Sequence, residues 1–449
     1  METPVDYSKI IERLDISIDP KFADEDLKVG LRYSTLSRWI KDNEIYGEAL
    51  NYLPILRLSD VKSLSLLTAV DSFIPSRRIT SFGHTRYAHS LEVALVSEEI
   101  LKRSDLPKAE VKKGIVAGLI HDIATPALGN PVMDIDPVNL NEEDHWLEVV
   151  DNERGNSFFN RHKLAKSELD AIIHNKGHLG KVLDIADRIV YVGDDAHALF
   201  GQVKYYQESR EVDKHLEGIY MLLREDPEVC DVYQDVCVNL EKGEVSFQDP
   251  ERLYRFLKLR ALLTKKIYQH PLNQARDRLA SILITPFYTA ERNASSDKLT
   301  PARLRRMTDN DLIAYLNKVY MGSINYLLND VSFSFVDTSL WPARFQEFTS
   351  LKDAGKFMNE VHQQKNLVAL GDIKVVNGFN TATSYLVKEG AGKTRPYFLV
   401  DPQGAEEIGE IEKSSHGIYV LYVNLEEHSP INEILKRKRE MFGGYPNLI

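Results

Sequence analysis

Cysteine is nearly missing from this chain: 449 residues contain two, Cys230 and Cys237. A disulfide framework is thereby excluded, because a spacing of seven read on one helix sets the two roughly 10 Å apart along its axis, too far to bridge. Both read as packing residues of a reducing compartment. Long apolar runs are missing too. No stretch approaches the ~20 residues that span a bilayer. The opening Met1-Glu2-Thr3-Pro4-Val5-Asp6 has neither the basic nor the apolar segment that directs export. The expectation is a cytoplasmic protein with no membrane partner. Positive charge is in deficit, with a formal net charge of −11. An acidic chain argues against a general nucleic-acid coat, which needs basic surface, and leaves only local clusters such as Lys436-Arg437-Lys438-Arg439. That run reads more simply as a solvated helical face. No Ser-His-Asp or Cys-His nucleophile arrangement, internal repeat or low-complexity segment is visible. Gly390-Ala391-Gly392-Lys393-Thr394 ends like a phosphate-binding loop, but Val387 takes the place of its first glycine. The surroundings are strand, turn and strand, so it reads as a hairpin turn.

What is present is a globular composition, 43% hydrophobic and 27% charged, in a chain long enough for one large domain and a smaller appendage. Leu91, Val93, Ala94, Val96 and Ile100 predict a helix from about Thr85 to Lys102. Val111, Ile115, Val116, Leu119 and Ile120 predict the next, ending at His121-Asp122. From Gly129 to Asn160 the pattern dissolves into Asn, Asp, Pro and Gly, which reads as a long irregular insertion. A third helix, from about Leu179 to Leu199, carries Asp187, Tyr191 and Asp195 at i, i+4 and i+8 on one face. After about residue 365 the texture becomes β-like, in Ile373–Val376, Tyr385–Val387, Tyr397–Val400 and Ile418–Val423, and closes with a helix through Ile434–Met441. The fold class expected is mainly α, a helical core with a small C-terminal α/β appendage. The boundaries expected are an N-terminal helical segment over 1–50, a core over 51–335 with its motifs in 77–200, and an α/β region over 336–449.

The chemistry concentrates in that core. His89, His121-Asp122 and Asp187 supply two imidazoles and two carboxylates, a set that can close around one divalent ion. Such ligands suit a first-row metal such as Mn²⁺, Fe²⁺ or Zn²⁺ and leave an octahedral ion two positions for water and a phosphate oxygen. A lone His-Asp pair is ordinarily a helix end with a satisfied core histidine; the full set is the layout of a metal-dependent phosphohydrolase. Arg86, three residues before His89, shares its helical face, and its planar fork suits phosphate better than a purely solvated role.

The segment Gly83-His84-Thr85-Arg86-Tyr87-Ala88-His89-Ser90-Leu91-Glu92-Val93, the His121-Asp122 pair and Asp187 resemble the HD-domain superfamily. Within it the chain is most similar to the deoxynucleoside triphosphate triphosphohydrolases, the dGTPase-like enzymes, over about residues 50–275. The resemblance implies an HD-domain helical core and a metal held by His89, His121, Asp122 and Asp187. It places Arg86 and Arg188 on phosphate, Tyr191 and Asp195 on the sugar, Arg260 on the terminal phosphates, and Tyr268 and Gln269 near the deoxyribose. It implies Mn, Fe, Zn or Ni in the HD site, Mg with the substrate phosphates, a nucleotide substrate, a homo-oligomer and room for a nucleotide activator.

The pattern departs at Thr125 and Asn130, where the family carries histidines, and at Ser63, where it carries a glutamine. Threonine and asparagine donate hydrogen bonds but do not shuttle protons near neutral pH. His145, in Glu142-Glu143-Asp144-His145-Trp146, is the candidate that replaces that chemistry, as the acid for the leaving group beside Arg86. His84, His162, His174, His178 and His197 stand in reserve. The function expected is hydrolysis of a dNTP to deoxynucleoside and triphosphate. Two alternatives remain: an HD phosphohydrolase acting on nucleoside monophosphates or a signalling nucleotide, and a non-catalytic nucleotide-sensing scaffold.

Overall fold

The computed structural model describes residues 44–61, 85–207, 217–269, 271–289, 298–319, 343–364, 367–369, 374–376, 385–389, 393–413 and 417–424. Helices longer than one turn are α1 Glu44–Tyr52, α2 Arg86–Arg103, α3 Lys108–Ile120, α4 Glu142–Val150, α5 Glu153–His162, α6 Lys166–Ile173, α7 Gly177–Gln207 and α8 Glu217–Glu225. A hairpin follows, β1 Val236–Asn239 with β2 Glu244–Phe247, then α9 Pro250–Leu263, α10 Pro271–Thr289 and α11 Asp309–Val319. The last part holds β3 Ala343–Phe348, α12 Leu351–Gln363, β4 Leu367–Ala369, β5 Lys374–Val376, β6 Leu386–Glu389, β7 Lys393–Pro396, α13 Pro402–Lys413 and β8 Gly417–Asn424. The protein is mainly α, a helical core with small α/β parts, as its periodicity predicts. No helix among the described residues is long and apolar enough to cross a membrane.

Helix α2 starts at Thr85, whose side chain caps it by accepting from the Ala88 amide, and nearly its whole length is buried. It crosses α3, and α7 packs over both. The crossing is as tight as backbone allows: a Cβ added at Gly118 would lie 2.6 Å from the Ala94 Cα and 2.8 Å from its N. Glycine at that point lets α3 approach α2 closely enough to bring His89 and His121 face to face.

The stretch 129–160 is not the irregular insertion its composition predicts, because it forms a one-turn helix at Asn130–Met133, then α4 and the start of α5. Asparagines that read as loop punctuation are the helix caps: Asn141 accepts from the Glu143 amide at 2.8 Å and Asn152 from the Gly155 amide at 3.0 Å. Three acidic residues in the first turn of α4 favour its positive end. Trp146 then fixes the helix, fully buried, with its Nε1 donating to Asp170 at 3.1 Å.

Two small sheets lie among the described residues. The first has the order β1-β2-β6-β7, so strands on both sides of residue 335 share it, with β2 and β6 parallel at Phe247 and Val387. Strands β6 and β7 pair antiparallel from Glu389 and Lys393 outward, the hairpin expected there. In the second sheet β8 is central, pairing with β3, β4 and β5. Its alternation decides its neighbours: Ile418 and Val420 face α12, while Tyr419 and Leu421 join a cluster with Ile282 and Leu283 of α10. Three expectations need correction. Tyr397–Val400 is a helical turn, with the Tyr397 hydroxyl donating to Asp401 at 2.7 Å. Cys230 lies in a 3₁₀ turn and Cys237 in β1, not on one helix, and neither forms a disulfide. The third helix runs to Gln207, well beyond Leu199. The expected helix at 434–441 lies outside the described residues.

Glycine to alanine at an open helical position stabilises by about 1 kcal/mol, so its sign at position 118 is diagnostic. Gly118→Ala is expected to lower stability by about 1–3 kcal/mol, the usual cost of forcing atoms into a filled core, read as a lower urea midpoint. A higher midpoint would mean that the α2–α3 crossing has room to spare.

Candidate metal centre and adjoining pocket

Three helices deliver the centre. Helix α2 presents Arg86 and His89 from its first turn, the C-terminal end of α3 presents His121 and Asp122, and α7 presents Asp187 one turn before Tyr191. The ring centroids of His89 and His121 are 5.4 Å apart. His89 Nε2 lies 2.9 Å from Asp187 Oδ1 and 3.6 Å from Asp122 Oδ2. His121 Nε2 lies 3.5 Å from Asp122 Oδ1 and 3.7 Å from Asp187 Oδ1. One ligand atom from each of His89, His121 and Asp187 falls within 4.8 Å of the others, a grouping that can hold a metal ion. Asp122 stands beside this trio with its Oδ2 accepting from Arg86 at 2.7 Å.

The electrostatics fit a cation. His121 donates from Nδ1 to the Gly118 carbonyl at 2.8 Å, and its buried Nε2 has no hydrogen-bond partner, so the lone pair of that nitrogen is the one left for an ion. Burial would lower the His121 pKa, but the charges of Asp122 and Asp187 outweigh it and push it up to about 9. Burial would likewise raise both carboxyls. His121 and His89 instead hold Asp187 well below the ordinary carboxylate range, and Arg86 with the two imidazoles holds Asp122 down. Arg86, whose ionisation burial alone would weaken, is held more firmly charged by Asp122 and Glu142. In the absence of an ion, protons on imidazole balance the carboxylates; a divalent cation would replace them.

A cationic and aromatic cluster adjoins along α7. Arg188 bonds Asp184 at 2.7 Å and donates to the Tyr385 hydroxyl at 3.3 Å. Arg260 of α9 donates from Nε to the Tyr191 hydroxyl at 2.8 Å. The Tyr268 hydroxyl donates to Asp195, and its ring meets that of Tyr191 edge-on at 6.1 Å. A π-turn over Thr264–Tyr268, closed by Gln269 N donating to the Thr264 carbonyl at 2.9 Å, sets Tyr268 at that position. Gln269 Oε1 is buried without a hydrogen-bond partner. Tyr191 and Asp195, on one face of α7 with Asp187, thus bond Arg260 and Tyr268.

His145 and the described histidines held in reserve have partners of their own. His145 contacts Glu148 Oε1 at 2.8 Å through Nδ1 and the Val138 carbonyl at 3.1 Å through Nε2, so the structure does not bring it among the four. His162 meets Glu48 at 2.9 Å, His174 meets Asp144 at 3.1 Å and His178 meets Glu110 at 2.8 Å. His84, Ser63 and the side chain of His197 lie outside the described residues. Thr125 is fully buried, whereas Asn130 is exposed.

The residue that sequence reasoning missed is Glu142. It begins α4 and accepts from Thr125 Oγ1 at 3.3 Å, at the edge of the His-Asp centre. Burial first, and the neighbouring charge of Asp122 second, push its carboxyl up to about 7, against the pull of Arg86. A carboxyl that gains and loses a proton near neutrality is suited to acid–base work. Its signal in the sequence was Asn141, a cap that would have started a helix at this point.

The fold is shared with two solved structures. One is a hypothetical protein from Aquifex aeolicus, 16% identical, with a TM-score of 0.56 over 86% of this chain and 96% of that one. The other is a phosphohydrolase from Bacteroides thetaiotaomicron, 14% identical, with a TM-score of 0.57 over 85% of this chain and 98% of that one. No protein-family model and no curated protein matches the chain.

Glu142 holds its proton more tightly folded, at about 7, than at the ordinary value of 4.5. The stability this proton contributes is therefore whole below 4.5 and lost as pH rises through 7. Glu142→Gln keeps the neutral form at every pH. In chelator-treated protein its urea midpoint should gain on wild type between pH 5 and pH 8 by the equivalent of about 1–2 kcal/mol, allowing for partial solvent access. Midpoints that stay parallel across that range would show that Glu142 ionises freely.

Proposed function

We propose that this protein is an HD-type, metal-dependent phosphohydrolase that converts a deoxynucleoside triphosphate to deoxynucleoside and inorganic triphosphate. The observation that carries the reading is the His89, His121 and Asp187 cluster, with Arg86 on Asp122, joined along one face of α7 to Arg188, Arg260, Tyr191 and Tyr268. A fold shared with a Bacteroides phosphohydrolase is consistent with it. His89, His121, Asp122 and Asp187 would hold the ion, of the Mn, Fe, Zn or Ni kind, with Mg entering on the substrate phosphates. An ion held there supplies an activated water and polarises a phosphoryl oxygen.

The chain's own residues do the rest. Arg86 keeps donors beyond the one spent on Asp122, and Arg188 and Arg260 set two more guanidinium groups along the same face. These neutralise phosphate charge as it redistributes. Water attacks the α-phosphorus and the bond to the sugar oxygen breaks; the water gives up a proton and the leaving oxygen takes one. Glu142, protonated near neutrality beside Arg86 and Asp122, is the better placed donor of that second proton, in the role that the family resemblance and its acidic neighbours assigned to His145. Tyr191 and Tyr268 form the aromatic wall against which a deoxyribose would lie, with Asp195 behind Tyr268.

Incubation with each dNTP and Mn²⁺ or Mg²⁺, followed by chromatography, tests the reaction. Inorganic triphosphate is the expected product; inorganic phosphate from nucleoside monophosphates would reassign the substrate class, and no turnover with metal still bound would leave a nucleotide sensor. The His121→Ala/Asp122→Ala double variant is expected to stay folded while losing the ion and all hydrolysis. Retention of metal at full stoichiometry would overturn the ligand set.

Removal of the acid separates the two proton donors. Glu142→Gln should lower kcat by roughly 10²- to 10⁴-fold with metal content unchanged, the usual scale for losing a general acid. His145→Ala should leave kcat within a factor of about three. The reverse result would return the role to His145.

A further inference from the structure

A cavity of about 530 Å³ opens between the end of α1, the α4–α5 connection and the segment just before α11, and four arginines line it: Arg57, Arg154, Arg305 and Arg306. No aspartate or glutamate is among its lining residues, in a chain whose formal charge is −11. None of the residues of the His-Asp centre or its adjoining pocket lines it.

The four guanidinium groups are not equivalent. Arg305 is buried and neutralised, bonded to Glu148 and the Asn139 carbonyl, and serves as structure. Arg57 is held by neutral acceptors only: the carbonyls of Met307 at 2.9 Å, Ile123 at 3.0 Å and Thr125 at 2.7 Å. Its buried Nε has no hydrogen-bond partner. Burial pushes its pKa down to about 10, which Asp309 only partly offsets, and at neutral pH it stays charged. Carbonyls orient a guanidinium without cancelling its charge, and a buried charge left without a counter-ion is destabilising. Arg154 and Arg306 are exposed at the rim, and their guanidinium groups make no hydrogen bond or ion pair among the described residues. Exposed arginines usually find water enough. What distinguishes these two is the half-buried Arg57, bonded to carbonyls alone, in the same cavity, and the absence of carboxylates from the lining.

We propose that this cavity is an anion site, separate from the His-Asp centre, which takes a phosphate-bearing ligand through Arg57 at its base and Arg154 and Arg306 at its rim. The planar forks of Arg154 and Arg306 match phosphate oxygens in pairs, and with the charge of Arg57 behind them they suit a multiply charged phosphate chain better than a single carboxylate. The cavity has the volume of an ordinary small-ligand site. The proposal does not rest on the reaction at the other centre.

Calorimetry on the full-length protein with its resident metal, titrated with inorganic triphosphate in magnesium-free buffer, tests it. Wild type is expected to bind triphosphate at this site. Arg154→Ala/Arg306→Ala should weaken that binding event at least tenfold, whereas Arg188→Ala/Arg260→Ala should retain it. Both rim residues are exposed, so the double variant is expected to keep the wild-type melting temperature; Arg306→Glu alone, reversing one charge, should weaken binding by a similar factor. Replacing inorganic triphosphate by dATP distinguishes the sources: at least threefold tighter binding that is lost with the rim arginines assigns a nucleotide, and equal binding assigns the phosphate chain alone. A change under twofold in the Arg154→Ala/Arg306→Ala variant would overturn the proposal. So would an equal response to sulfate at matched ionic strength.

Discussion

Two carboxylates, Asp122 and Asp187, converge on the same pair of imidazoles, and the surrounding structure is organised by the need to balance them. At about 4 Å and an effective dielectric of about 20, two like charges repel by about 4 kcal/mol, a large fraction of the stability of an ordinary domain. Arg86 answers Asp122 directly, and His89 and His121 answer both. That balance requires the first turn of α2, the end of α3 and the middle of α7 to meet at one point. The buried faces of α2 and α3, with α7 across them, are what a helical core needs in order to hold three backbones in that relation.

Much of this was legible in the sequence for reasons of phase. Arg86 and His89 are three apart, His121 and Asp122 are adjacent at the end of an apolar run, and Asp187, Tyr191 and Asp195 fall four apart, so helical geometry alone puts each group on one face. The structure then brings Arg260 and Tyr268 to that face of α7. The stretch 129–160 was illegible because asparagine serves both loops and helix starts. Counting Asn141 and Asn152 as loop residues hid α4 and α5, and with them the position of Glu142. For His145 the acidic surroundings were visible, but not that Glu148 and the Val138 carbonyl would take up its two ring nitrogens. In the C-terminal part, the aromatic and β-branched content of Tyr397–Val400 suggested a strand, yet Pro396 precedes it at the cap and Asp401 binds the Tyr397 hydroxyl, closing a helical turn. Pairing of β2 with β6 joins residues 140 apart and leaves no local trace.

A carboxyl raised toward neutrality can do the acid–base work of an imidazole by a different physical route. Imidazole titrates near pH 7 without help; a glutamate does so only while burial and a neighbouring negative charge hold its proton in place. Glu142 therefore depends on Asp122 in a way that a histidine would not, and the hydrogen bond from Thr125 ties it to the segment that follows the His-Asp pair. The same segment is held from behind by Arg57, through the carbonyls of Ile123 and Thr125.

The contact of Gly118 on Ala94 has a consequence for how the centre tolerates change. Where helices meet backbone to backbone, their separation is set by atoms that no substitution can shrink. The crossing then behaves as a pivot. A side chain enlarged or trimmed farther along α2 or α3 tilts the helices about that point and displaces their distant ends most. His121 lies within one turn of the pivot and His89 five residues from it, so both sit near the still centre of the motion. The span between their ring nitrogens is thereby insulated from drift in the core, and the size of any ion such a centre could hold is set by two small residues outside it.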